Sequence, residues 1–102
     1  FGLSVFEKLI TFDLKQHGYD TYMIGKYHLG FHRSDLTPLQ RDFDEFRGSL
    51  SPMIHYFDYS YTVNKDGVDY TGYDLWINEE RVSMQDTNQR YLTDWEGDQF
   101  ID

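Results

Sequence analysis

Between residues 4 and 17 ("SVFEKLITFDLKQH") the apolar positions Phe6, Leu9, Ile10 and Leu14 recur at helical spacing, with polar residues between them. Ser4 and Glu7 stand at capping-box spacing and Gly18 is a natural stop, so the pattern predicts a helix over 4–17. Residues 19–25 ("YDTYMIG"), rich in aromatic and β-branched side chains and closed by Gly25, predict a strand. A helix passing through one glycine into a strand is an α/β unit in miniature, and its strand needs neighbours. From 31 to 52 the pattern turns irregular. Pro38 and Pro52 act as breakers, Gly48 as a turn site, and "DFDEF" (42–46) as a short helical turn. Residues 56–63 partly alternate, "NKDG" (64–67) is a turn signal and "VDYTGYDL" follows, which predicts a β-hairpin centred near Asp66-Gly67. The stretch from 78 to 102 is polar, with Thr93 an N-cap candidate for a helix beginning after it. No internal repeat, low-complexity tract or shift of composition divides the chain.

The length of 102 residues allows one small domain at most, with a modest core. Nine Lys and Arg against 18 Asp and Glu leave a net charge of −9, which argues against nucleic-acid binding and against docking on anionic membrane. Aromatic residues make up 19% of the chain, too many for a disordered segment. Nine of them are Tyr, whose hydroxyls want partners when buried, so aromatic surfaces that something else covers are expected. With no Cys there is no disulfide framework, thiolate metal site or cysteine nucleophile. No window reaches the apolar length of a membrane span, and the first residues lack the basic start and apolar run of a signal peptide. The absence of an initiating Met suggests a partial chain.

Several motif frames fail on their required residues. Gly25 and Gly30 have phosphate-loop spacing, but Phe31-His32 follows where Lys and a hydroxyl residue are needed. His28 and His32 have the spacing of a zinc helix, but Leu29 replaces the required Glu. "TVNKDGVDYTGY" imitates a calcium loop, yet Thr62 and Tyr73 occupy positions that want carboxylates. With 13 Asp in the chain, close acidic pairs such as Asp42/Asp44 and Asp66/Asp69 arise by chance and read as solvated turns. The glycine-bracketed "GKYHLG" (25–30) remains. If the strand runs on through it, Lys26 and His28 share a face roughly 6.5–7 Å apart, with Tyr27 on the other. An ammonium and an imidazole so placed clamp an oxyanion: Lys supplies fixed charge, and His donates a hydrogen bond or moves a proton near neutral pH. The alternative reading of such a pair is plain surface polarity.

The longer run "GYDTYMIGKYHLG" (18–30) resembles the second signature of the sulfatase family, met by Gly18, Tyr19, Thr21, Ile24, Gly25, Lys26, Tyr27 and His28. "LKQHGY" is similar to the helix end that precedes this signature. "QRDFDEFRGSL" (40–50) resembles the Arg-Gly-Phe-Asp-x-Phe-x-Gly segment that follows it. "GYDLWINEERV" and "YLTD" are similar to later stretches of arylsulfatases of the B, I and J type.

The resemblance implies a sulfuric ester hydrolase with an alkaline-phosphatase-like α/β fold, of which residues 1–102 form a fragment and no complete domain. It implies a formylglycine nucleophile, a calcium ion, and a sulfated sugar or aryl sulfate as substrate. Lys26 then corresponds to the lysine that holds sulfate. His28 corresponds to the histidine that contacts the formylglycine diol and assists its deprotonation. Location follows only from the family, lysosomal or secreted. Tyr27 replaces the usual Trp, and Asp42 stands where the pattern has Gly, a backbone position expected to be strained or rearranged. The chain has no Cys, no Ser-x-Pro-x-Arg, and no Asp-Asp or Asp-Asn pair for calcium, so the formylglycine and the metal ligands belong to the remainder of the domain. The fragment alone is therefore expected to be inactive. The alternative is a non-catalytic, sulfatase-derived acidic interaction domain.

Overall fold

The computed structural model describes residues 2–83, 87 and 90–101. It contains helix α1 (Ile10–Gln16), strand β1 (Tyr22–Lys26), two short 3-10 turns (Ser34–Leu36 and Pro38–Arg41) and β2 (Glu45–Ser49). These are followed by β3 (Ser60–Lys65), β4 (Val68–Tyr73), β5 (Trp76–Ile77), β6 (Glu80–Arg81) and helix α2 (Leu92–Ile101). The four-stranded sheet has the order β1-β2-β5-β6, with β1 and β2 parallel and the remaining pairs antiparallel. Strands β3 and β4 form a separate antiparallel ribbon, so the chain is α/β with a mixed sheet.

The hairpin expected near Asp66-Gly67 is present. Asp66 (φ 55°) and Gly67 (φ 81°) both take the left-handed conformation that suits a two-residue turn to strand twist. The first helix is shorter than the expected 4–17 and spans only Ile10–Gln16. Ser4 caps nothing: its hydroxyl accepts from the Phe6 amide and its carbonyl from the Glu7 amide, closing a turn. The cause is the buried Arg41, whose guanidinium donates to the carbonyls of Leu3, Ser4 and Glu7 at 2.6, 2.9 and 2.7 Å. Two of those carbonyls, of Ser4 and Glu7, would serve amides four residues on in a longer helix. The predicted apolar stripe is not buried as a unit either, since Phe6 is 94% and Ile10 73% exposed.

Residues 31–52 hold more order than their pattern suggests. "DFDEF" does not form a helical turn, because Glu45 and Phe46 open β2, and Gly48 lies inside that strand rather than at a turn. The reason is close approach. Gly48 pairs with Gly25 of β1, and a Cβ on it would lie 1.9 Å from the Gly25 carbonyl oxygen. The expected strand at 19–25 is observed at Tyr22–Lys26, starting three residues later and ending one residue later. Asp42 takes the left-handed conformation (φ 70°, ψ 20°) that closes the second 3-10 turn. Asp is one of the few non-glycine residues that visit this region, at a cost of about 1 kcal/mol, so the backbone course a glycine would favour is kept.

Two small cores flank the sheet. Tyr27, Phe46 and Leu50 pack with Met23, Leu39, Phe43 and Trp76. Tyr59, Leu75, Leu92 and Trp95 pack with Ile54, Ile77 and Val82. Adjacent residues of β5, Trp76 and Ile77, thus serve opposite faces, as strand alternation requires. Helix α2 lies on the second face, tied to β2 by the Arg47 guanidinium donating to Gln99 Oε1 at 2.6 Å. It begins at Leu92, so Thr93 sits inside its first turn instead of capping it. The start is fixed by the Leu92 amide donating to the Tyr56 carbonyl at 2.6 Å.

Candidate functional site

Lys26 is the last residue of β1 and is in register with Ser49, the last residue of β2. The two strands are parallel, so both residues stand at carboxyl ends, where open α/β sheets leave room for ligands. Alternation sends Tyr27 into the first core, where it is buried edge-on to Phe46 at 6.3 Å between ring centroids. Its hydroxyl donates to the Leu36 carbonyl at 2.6 Å, the partner a buried phenol needs, and burial raises its pKa. Lys26 is left exposed on the α2 side of the sheet.

There it borders a cavity of about 430 Å³ lined also by Ser49, Ile54, Tyr56, Leu92 and Glu96. Among the described residues of that lining, Lys26 is the only basic one and Glu96 the only acidic one. Burial holds the Glu96 carboxyl above the usual carboxylate range.

His28 is placed differently from the extended-strand expectation. The ladder persists past Lys26, with the Tyr27 amide donating to the Ser49 carbonyl at 2.9 Å and the His28 amide to the Leu50 carbonyl at 3.1 Å. At His28, however, φ is +53°, so the backbone leaves the extended conformation and alternation no longer fixes the direction of the imidazole. The side chain is half-buried and is not among those lining the Lys26 cavity. Strand geometry therefore accounts for Lys26 and Tyr27, and a left-handed turn positions His28.

Other residues of the signature and of the segment after it hold these elements in place. Thr21 is buried just before β1, its amide donating to Asp44 Oδ2 at 2.8 Å and its hydroxyl to the Asp42 carbonyl at 2.5 Å. The other Asp44 oxygen accepts from Lys15 of α1. The Lys15 bond, then the Thr21 amide, hold the Asp44 carboxyl below its ordinary pKa, and the bond to Asp44 raises that of Lys15. One carboxylate thus joins α1, the start of β1 and the entry to β2.

Asp74 was given no role by the sequence pattern, yet it organises the segment after β2. Its carboxylate accepts from the Leu50 and Ser51 amides at 3.0 and 2.8 Å, from the Ser51 hydroxyl, and from Trp76 Nε1 at 2.7 Å. A "YD" pair before an apolar run was the only signal available, and it is indistinguishable from a solvated turn. Glu96 was likewise illegible, because its place depends on where α2 packs.

Among the described residues no group of three or more His, Cys, Asp or Glu side chains is disposed to hold a metal ion, so the side chains described do not fit a calcium site. The hairpin that imitates a calcium loop is instead closed by its own bonds, Thr62 to Thr71 at 2.7 Å and Asn64 to Asp69 at 2.8 Å. No described helix is long and apolar enough to cross a membrane.

No protein-family model matches the chain. Curated proteins do. It is 47% identical over 66 residues to arylsulfatase J of Mus musculus, covering 65% of this chain and 10% of that protein. It is 41% identical over 58 residues to N-acetylgalactosamine-6-sulfatase of Homo sapiens, covering 57% of this chain and 10% of that protein. The Rattus norvegicus N-acetylgalactosamine-6-sulfatase is 40% identical over 62 residues, which cover 61% of this chain and 11% of that protein. The chain therefore spans about a tenth of the length of the curated relatives it matches. Together with the run from Gly18 to His28, these matches support a sulfatase-family fragment.

Proposed function

We propose that this segment supplies the sulfate-holding lysine and the partner histidine of a sulfuric ester hydrolase with an alkaline-phosphatase-like fold. The observation that carries the reading is Lys26, exposed at the carboxyl ends of two parallel strands and, among the described residues, the only basic side chain on a ligand-sized cavity. Its ammonium is suited to the oxygens of a sulfate ester and to the charge that grows on them as the S–O bond breaks. His28, held by its amide in a left-handed turn directly after, is assigned the hydrogen-bonding and proton-transfer role of the signature histidine.

Formylglycine, when present, supplies the nucleophile, and calcium supplies charge on the sulfate. Both are assigned to parts of the domain outside this chain, so the segment alone binds without turnover. The relatives' names favour a sulfated sugar or an aryl sulfate as substrate. A lysosomal or secreted location follows from the same analogy. The non-catalytic alternative is not favoured by the comparisons.

The test is turnover of a chromogenic aryl sulfate by a full-length protein carrying this segment, with Lys26→Ala and His28→Ala made separately. Each is expected to lower kcat by about 10²–10³, the usual cost of removing a group that stabilises developing charge. Turnover unchanged in either variant overturns the assignment of that residue.

A further inference from the structure

The Lys26 cavity is much larger than a sulfate group alone requires, and its far side is chemically different from its Lys26 side. We propose that Glu96 is the specificity-determining residue of this cavity, recognising a hydroxyl or amide on the organic part of the ester whose sulfate Lys26 holds. The inference rests on the sulfate-binding reading of Lys26 and adds the group that chooses among sulfate esters.

The geometry points this way through the packing of α2. Leu92 and Glu96 are four residues apart and so share one face of the helix. Leu92 is anchored in the core with Tyr59, Leu75 and Trp95, which turns that face towards the sheet and brings Glu96 to the cavity. The helix is held at both ends, by the Leu92 amide on the Tyr56 carbonyl and by the Arg47–Gln99 bond. Glu96 is therefore a fixed wall rather than a mobile surface acid.

The lining divides into three parts. Lys26 and the buried Ser49 hydroxyl stand at the carboxyl ends of β1 and β2 and suit an oxyanion. Ile54, Leu92 and the Tyr56 ring offer apolar surface to the face of a sugar or aryl ring. Glu96 supplies the remaining polar group. Among the described residues no ion pair joins Lys26 to Glu96, so the ammonium is not neutralised across the cavity and is open to an external anion. A volume of about 430 Å³ falls in the range of small-molecule sites and accommodates a monosaccharide sulfate. Burial raises the pKa of the Glu96 carboxyl, and its oxygens are hydrogen-bond acceptors. A hydroxyl or amide N–H is the neutral donor that such a group accepts from.

The experiment titrates a full-length protein carrying this segment, by ligand-observed NMR, with three probes: inorganic sulfate, phenyl sulfate and galactose 6-sulfate. Glu96→Leu is expected to weaken galactose 6-sulfate by roughly five- to tenfold, about the worth of one hydrogen bond, and to leave the other two probes within about twofold. Glu96→Gln, which keeps an acceptor oxygen in place, is expected to retain most of the affinity. Should Glu96→Leu lose the far-UV CD spectrum of the unaltered full-length protein, Glu96→Ala takes its place. Lys26→Ala is expected to weaken all three probes. A Glu96 truncation that shifts the three probes equally, or not at all, overturns this inference and leaves the Lys26 reading standing. Binding that survives Lys26→Ala for every probe overturns the Lys26 reading itself. Failure of galactose 6-sulfate to bind the unaltered full-length protein at tens of millimolar overturns the inference directly.

Discussion

Replacing Gly48 with Ala tests whether the close approach of β1 and β2 is what holds Lys26 and Ser49 side by side. The new Cβ would lie 1.9 Å from the Gly25 carbonyl oxygen, 2.8 Å from its carbonyl carbon and 2.9 Å from its nitrogen, all backbone atoms with no rotamer to yield. Relief requires the two strands to part by more than about 1 Å, which carries their hydrogen bonds outside the roughly 2.7–3.2 Å range in which N–H···O bonds are strong. Overpacking of this kind costs about 3 kcal/mol or more where the backbone must move. For a chain of this size each kcal/mol is worth about 4–8 °C, so Tm should fall by about 12 °C or more in far-UV CD melts. Two further glycines calibrate the result. Gly67→Ala meets nothing within 4 Å but must keep φ at +81°, and should cost about 1 kcal/mol. Gly97→Ala, in open space on α2, should be neutral or stabilise by up to about 1 kcal/mol. If Gly48→Ala melts within a few degrees of the unaltered chain, or no lower than Gly67→Ala, the close-approach argument fails.

Asp44 and Asp58 both have carboxyls held below their ordinary pKa, Asp44 by Lys15 and Thr21, and Asp58 by the hydroxyl and amide of Ser60. A lowered folded pKa contributes stability that is present above the unfolded value of about 4 and lost as pH falls through the folded value. Urea midpoints should therefore drop below about pH 4, and Asp44→Asn should flatten that acid limb. Asp74→Ala leaves two amides, a hydroxyl and the Trp76 indole N–H without their acceptor, and should cost about 3 kcal/mol with a red shift of tryptophan emission. An unshifted emission maximum would show that Trp76 does not depend on that carboxylate. The isolated chain should also self-associate, since Phe100 and Ile101 are 80% and 82% exposed and β1 is an edge strand of its sheet. Sedimentation equilibrium should show mass rising with concentration, reduced by Phe100→Ser with Ile101→Ser; a strict monomer refutes this.

The sequence alone determined those features whose physics is local. Asp66-Gly67 specifies its hairpin because two adjacent residues that tolerate positive φ are enough to close it. Gly18 to His28 marks a helix end, a strand and the sulfatase relationship because the residue types and their spacing are all in one short run. Tertiary contacts decided the rest. Helix α1 lost its first turns to Arg41, an arginine more than thirty residues away that takes the carbonyls of Leu3, Ser4 and Glu7. Strand β2 was hidden by Gly48, which looks like a turn until Gly25 is seen packed against it. Asp42 could keep the backbone course of a glycine because its left-handed conformation is braced by Thr21 on its carbonyl. The signature pair divided along the same line. Strand register fixed Lys26 on the α2 face, and one left-handed residue, beyond the reach of periodicity, set His28 on its own course. Glu96 entered the cavity only because Leu92 was claimed by a core assembled from residues 59, 75 and 95. Periodicity records which face of an element is apolar, whereas which element comes to cover that face is settled by the packing of the whole chain.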